Sequence, residues 1–233
     1  MTDTSANNKR IAKNTLLLYF RMLFMMAVSL YTSRVVLNAL GVEDFGIYNV
    51  VGGVVAMFSM LSGSLSAAIT RFITYELGKG NQENLKKIFS SSVTIQIGLA
   101  ILIIVVAEAI GVWFLNMKMN IPDVRITAAN WVFQFSILTF AVNLISVPYN
   151  ASIIAHERMS AFAYISILEA IGKLAIVFLI VISPMDKLIF YAILMCAVAL
   201  IVRLAYGVYC KRHFEECTYH FIFDRDLLKH MFG

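Results

Sequence analysis

Five charged side chains stand in stretches otherwise apolar enough to sit in hydrocarbon: Arg21, Glu108, Glu169, Lys173 and Arg203. A charge in mid-span costs about 2.5–3.5 kcal/mol on insertion scales, so each needs a partner, water or a task. The three cations suit an anionic ligand. A guanidinium suits a phosphate especially well, because its planar fork donates two parallel hydrogen bonds. The two acids could take up a coupling ion or a proton. Glu169 and Lys173 are four residues apart, on one helix face, with the acid on the N-terminal side, so this pair can also neutralise itself. Arg21 and Arg203 would then supply the positive field. Arg21 shares a helix face with Asn14, Met25, Val28 and Thr32, and no acid on that helix is near enough to neutralise it. That face is expected to look into a bundle or a wet cavity. Arg203 and Arg34 lie near enough to helix ends to snorkel to the interface.

The elements that must hold these residues are read from composition. Of 233 residues, 60% are hydrophobic and 14% charged, and the mean hydropathy is +0.80. Soluble domains run near a quarter charged. The apolar residues fall in blocks of about 20, the length that crosses a bilayer as a helix. None of the blocks alternates as a membrane barrel strand would. The expectation is an all-α membrane protein with six transmembrane helices, at about residues 14–38, 47–71, 90–115, 127–155, 161–182 and 188–209. A basic tail (1–13) precedes this transmembrane unit (14–210), and an amphipathic stretch (211–233) follows it. The first block is too long for the apolar region of a signal peptide, so it is read as a retained helix.

Local signals refine this outline. GVEDFG (residues 41–46) reads as a turn. Gly52, Ala56, Ser59, Gly63, Ser66 and Thr70 form a small-residue stripe that would allow a close helix contact. In the stretch 71–89, Leu85, Ile88 and Phe89 have the spacing of an amphipathic helix lying on the membrane surface. Asn130, Gln134, Asn143 and Asn150 stud the fourth helix, and Pro148 should kink or end it.

No Gly-rich phosphate loop, nucleophile elbow or His/Cys metal spacing occurs, so no catalytic residue, cofactor or metal is expected. Cys196, Cys210 and Cys217 are an odd set that reads as reduced and structural. The net charge of +5 sits in links rather than along one face, which argues against nucleic acid as a partner. Of the nineteen Lys and Arg, twelve lie in the N-terminal tail, the 2–3 and 4–5 links and the C-terminal tail. Three (Lys118, Arg125, Lys187) lie in the other links. This asymmetry predicts both termini in the cytoplasm.

Four segments together resemble a known family: NNKRIAKNT before the first helix; LGVEDFGIYNVVGGVV (40–55); TRFITYELGKGNQENLKKIFSSS (70–92); and VPYNASIIAHERMSAFAYISILEAIGKL (147–174). They are similar to polysaccharide-type flippases of the multidrug/oligosaccharidyl-lipid/polysaccharide (MOP) superfamily, which also holds the MATE exporters. The resemblance covers nearly the whole chain. It implies a two-lobed transporter of which this chain is the N-terminal six-helix lobe, with 211–233 leading toward a second lobe. It further implies a bacterial inner-membrane location. The implied substrate is an undecaprenyl-diphosphate-linked oligosaccharide destined for O-antigen or exopolysaccharide. Arg21, Lys173 and Arg203 would be the substrate-binding cations, and Glu108 or Glu169 would serve coupling or ion pairing. A second lobe, or polysaccharide assembly proteins, are the implied partners.

Three other classes compete. A MATE-like exporter of organic cations wants embedded acids in excess, but the spans hold two acids against four cations (Arg21, Arg34, Lys173, Arg203). A glycan polymerase or ligase would be expected to place its Arg and His in long external loops, and the external links here are short. A structural membrane subunit remains the fourth reading.

Overall fold

A computed structural model describes residues 2–219 except 120 and 184, and side chains from residue 8 onward except at 10 and 59–62. Among the described residues there are helices and no strands: α1 (Thr2–Ala56), α2 (Ser59–Lys79), α3 (Gln82–Val106), α4 (Val112–Met117), α5 (Asp123–Ala155), α6 (Met159–Ile182) and α7 (Lys187–His213). A π-helical turn, Ala107–Gly111, joins α3 to α4. Five stretches are long and apolar enough to cross a membrane: Ile11–Ala56, Gln82–Met117, and all of α5, α6 and α7. The chain is an all-α, multi-pass membrane protein.

α1 is two helices joined at a kink. Gly41 alone departs from helical geometry, at φ +83°, a conformation glycine adopts without steric cost. The turn expected over residues 41–46 therefore shrinks to one residue. Glu43 and Asp44 fall in the first turn of the second arm, where acids favour a helix N-terminus. The second arm ends at Ala56, and the helix restarts at Ser59 after a break at Met57 and Phe58. With the two arms of α1 counted separately, the described helices form six units along the chain. The second is the broken one: residues 42–56 followed by α2.

The order of packing fixes which links share an end. Arg21 meets Ser166 near the start of α6, and Val36 packs with Ile176 and Ile180 near its end, so the first arm and α6 run parallel. α3 and α5 run antiparallel: Ile88 packs with Ala151, and Ala100 with Leu144. At one end, Arg125 at the start of α5 ion-pairs with both Asp44 and Asp186, drawing the 1–2, 3–4 and 5–6 links together. Asp186 also caps α7, accepting from the amides of Leu188 and Ile189. At the other end, His156 in the 4–5 link lies 3.2 Å from Glu216 beyond α7, and its ring stacks on Phe214.

Two local expectations are corrected. Leu85, Ile88 and Phe89 do not lie on the membrane surface. Gly80 (φ +70°) ends α2, Asn81 caps α3 by accepting from the Asn84 amide, and the three residues are buried against α2 and α5. The small-residue stripe is not a close contact: nothing described lies within 4 Å of a Cβ placed on Gly52 or Gly63. The break at Met57–Phe58 cuts the stripe in two, and α2 turns its aliphatic face, Leu65, Ile69 and Ile73, inward instead. Pro148 lies inside α5, which continues to Ala155. The expected stretch 211–233 is described only to Tyr219, and 220–233 lie outside the described residues.

Candidate functional site: a polar cavity beside α5

The face of the first arm carrying Asn14, Arg21, Met25, Val28 and Thr32 is its covered face, while Met22, Leu23, Met26 and Leu30 are exposed. The 3.6-residue period makes this division: the covered positions recur at three- and four-residue steps. Arg21 is thereby aimed across α6 into a cavity of about 300 Å³ between the first arm, α5, α6 and α7. Its Nε donates to Ser166 Oγ, and its guanidinium carbon stands 4.1 Å from the centre of the Phe162 ring. Ser166 Oγ in turn donates to the Phe162 carbonyl, which fixes the acceptor. The serine and the ring hold the guanidinium by one nitrogen and one face. The two terminal nitrogens, the pair able to grip an oxyanion, have no protein acceptor among the described residues.

Glu169 and Lys173 line the same cavity and pair with each other, Nζ to Oε1 at 2.7 Å, both about 30% exposed. The i,i+4 spacing alone accounts for this contact. With the pair neutralised, Arg21 is the unbalanced charge of the cavity.

The structure does not bring the other two candidates to this site. Arg203 points away from it: its guanidinium carbon lies 3.8 Å from the centre of the Tyr149 ring, in a separate cavity toward the 4–5 end with Gly207 and Lys211. Val202 and Tyr206 of the same helix line the Arg21 cavity, and Arg203 is turned about 100° from Val202 and about 60° from Tyr206, at the edge of that face. Glu108 sits in the π-helical turn, where its Oε2 accepts from Gln134 Nε2 at 3.1 Å, on the α3 side of α5. The first placement separates Arg203 from Arg21 and Lys173, with which it was grouped as a cavity cation.

Sequence reading missed the other wall. Ser136, Thr139, Asn143, Ser146 and Asn150 of α5 recur at steps of three, four, three and four. The last four line the Arg21 cavity. Ser136, Thr139 and Asn143 also line an adjoining cavity of about 200 Å³ that runs to Tyr48. The spacing was visible in the sequence, but serines and threonines do not stand out against an apolar run as asparagines do. Among the described residues, no group of three or more His, Cys, Asp or Glu could hold a metal.

The family described as "Polysaccharide biosynthesis protein" matches residues 11–232. The chain belongs to that family. As the resemblance of its segments implied, this polysaccharide biosynthesis protein shares a fold with the MOP superfamily. A solved structure described as the outward-facing conformation of a multidrug resistance MATE family transporter of the MOP superfamily superposes at a TM-score of 0.76 with 15% identity. The match covers 94% of this chain and 50% of that one, so the chain spans about half the length of the transporter it resembles. No curated protein matches it.

Outside the spans, Cys217 is held as a thiol. Its hydrogen bond with Cys210 and its burial both push its pKa far up. All three cysteines are free and buried, so none forms a disulfide.

Proposed function

We propose that this chain is one lobe of a flippase that moves a lipid-diphosphate-linked oligosaccharide across the bacterial cytoplasmic membrane for surface polysaccharide assembly. The single observation that carries the reading is Arg21: a guanidinium whose two terminal nitrogens have no acceptor among the described residues, facing a polar cavity whose other charges cancel, in a member of the polysaccharide biosynthesis family. A diphosphate must cross about 30 Å of hydrocarbon, and it needs a fixed cation in a shielded wet space to do so. Arg21 supplies the cation and its bidentate grip. Lys173, held by Glu169, adds to the field once Glu169 takes up a proton or ion. A second lobe closes the cavity from the other side, and rocking of the two lobes gives alternating access. The charge balance disfavours export of organic cations, because the cavity's acid already has a partner.

The Lys/Arg asymmetry supports placing the His156 end, and both termini, in the cytoplasm. Alkaline phosphatase fused after Gly233 should then be inactive, and strong phosphatase activity would reverse this orientation.

Arg21 is tested in cells whose surface polysaccharide depends on the full-length protein. Arg21→Ala should abolish export at near-normal membrane abundance. Arg21→Lys should restore export only in part, since the charge returns without the fork. A well-expressed Ala variant that exports fully would sink the reading.

A further inference from the structure

The α5 stripe has a chemistry of its own. Its five residues are uncharged, yet every one can hydrogen-bond, and they span 15 residues, about 21 Å of helix. Thr139 and Ser146 spend their protons on the carbonyls of Phe135 and Val142, at 2.7 and 2.9 Å. Their oxygens are therefore left to the cavity as acceptors. Asn143 is exposed, lines both cavities and has no protein partner among the described residues. Asn150 Oδ1 is enclosed and unpartnered. A buried amide oxygen without a partner costs about 1–3 kcal/mol, so it is best explained by something that fills the cavity. At the far end, Tyr48 lines the second cavity, its ring set edge-on to Tyr191 with centroids 4.7 Å apart.

An anion or an organic cation needs none of this. A neutral sugar does. Its hydroxyls are donors and acceptors at short intervals, matching a row of carboxamides and back-bonded hydroxyls. Its ring face suits an aromatic such as Tyr48. The two adjoining cavities are an elongated space rather than a single pocket, as an extended chain of sugars requires.

We infer that the Ser136–Asn150 face of α5 is a track that reads the neutral sugars of the substrate by hydrogen bonding, while Arg21 reads the charged head. The inference rests on the flippase reading and deepens it: affinity for the diphosphate lies with Arg21, and discrimination among glycans lies with α5. Lipid and glycan then contribute separately to binding.

The test uses the purified full-length protein in nanodiscs and two probes: undecaprenyl diphosphate, and the same lipid carrying a neutral disaccharide. Dissociation constants are measured by native mass spectrometry. In the wild type the disaccharide should tighten binding. Asn143→Leu should weaken the glycosylated lipid about three- to tenfold and leave the bare lipid unchanged. Ser136→Ala, a smaller change at the other end of the track, should act in the same sense and guards against misfolding of the leucine variant. Arg21→Gln should weaken both lipids equally. Equal affinities for the two lipids in the wild type, or undiminished preference for the glycosylated lipid in both α5 variants, would overturn the track and leave the role of Arg21 standing. No loss of bare-lipid binding in Arg21→Gln would overturn the head-group reading, whatever the α5 variants do.

Discussion

Arg125 offers the sharpest test of how the lobe is held together. Its guanidinium bridges Asp44, whose side chain is 6% exposed, and Asp186, at 34%. The two bonds are unequal. The Asp186 pair is half in solvent and is worth about 0–1 kcal/mol. Asp44 is enclosed, and its Oδ1 has no hydrogen-bond partner, so Arg125 is what makes its charge tolerable. Removing one member of a buried pair costs about 3–5 kcal/mol, because the survivor is left charged. Arg125 itself is 31% exposed, which lets water screen part of that loss, so Arg125→Gln should cost about 2–4 kcal/mol. For a chain of this length that is a fall in Tm of about 4–16 °C. Asp186→Asn, which keeps the cap on α7, should lower Tm by no more than about 4 °C. The decisive variant is the double one. Asp44→Asn with Arg125→Gln removes the stranded charge, so it should melt well above the sum of the two single losses. The assay is fluorescence-detected size exclusion after heating in detergent. Additive losses, or an unchanged Tm for Arg125→Gln alone, would refute the argument that Asp44 depends on Arg125.

Two glycines should respond in opposite ways. A Cβ on Gly111 would stand 2.3 Å from Phe133 Cζ, so Gly111→Ala must push a buried ring and should cost about 1–3 kcal/mol. Gly63 meets nothing described within 4 Å and sits inside α2, so Gly63→Ala should be neutral or raise stability by up to about 1 kcal/mol. Melting both variants beside the wild type checks the pair, and a Gly63→Ala loss as large as that of Gly111→Ala would restore the close-contact reading of the small-residue stripe.

The spans were legible because a bilayer leaves so few solutions: an apolar block of the right length must be a helix. Arg21 was legible for a related reason. A lone cation in such a block can only face inward, and Arg21 is half-covered while the residues at its helical phase, Val28 and Thr32, are buried. What failed were judgements that depend on a neighbour. Nothing in Ala56-Met57-Phe58-Ser59 is a helix breaker, yet the helix breaks there and removes the stripe from its expected contact. Leu85, Ile88 and Phe89 have the period of a surface helix, but the same period serves a helix entering a bundle. Only α2 and α5 packing against them decides between the two. The Arg125 bridge joins residues 81 and 61 positions apart, a separation across which sequence spacing carries no signal.

Arg203 shows why a cation's charge is a weaker guide than its placement. As an embedded cation it was grouped with Arg21. It stands at the edge of the cavity face of α7, about 100° from Val202 and about 60° from Tyr206, and its guanidinium lies on Tyr149 instead. The same rule, applied to uncharged residues, exposes the α5 track. Asn143 and Asn150 are two turns apart, and the residues between them at that phase, with those preceding them, are serine and threonine. By contrast Asn130 and Gln134, equally polar and on the same helix, fall off that phase and are spent on Asn116 and Glu108. One helix thus divides its polar residues by angle. One set fastens α5 to the α3–α4 span, and the other, among the described residues, is left without protein partners or with only its own backbone, facing the space that Arg21 guards. A helix with polar groups only for packing would have no reason to keep the second set.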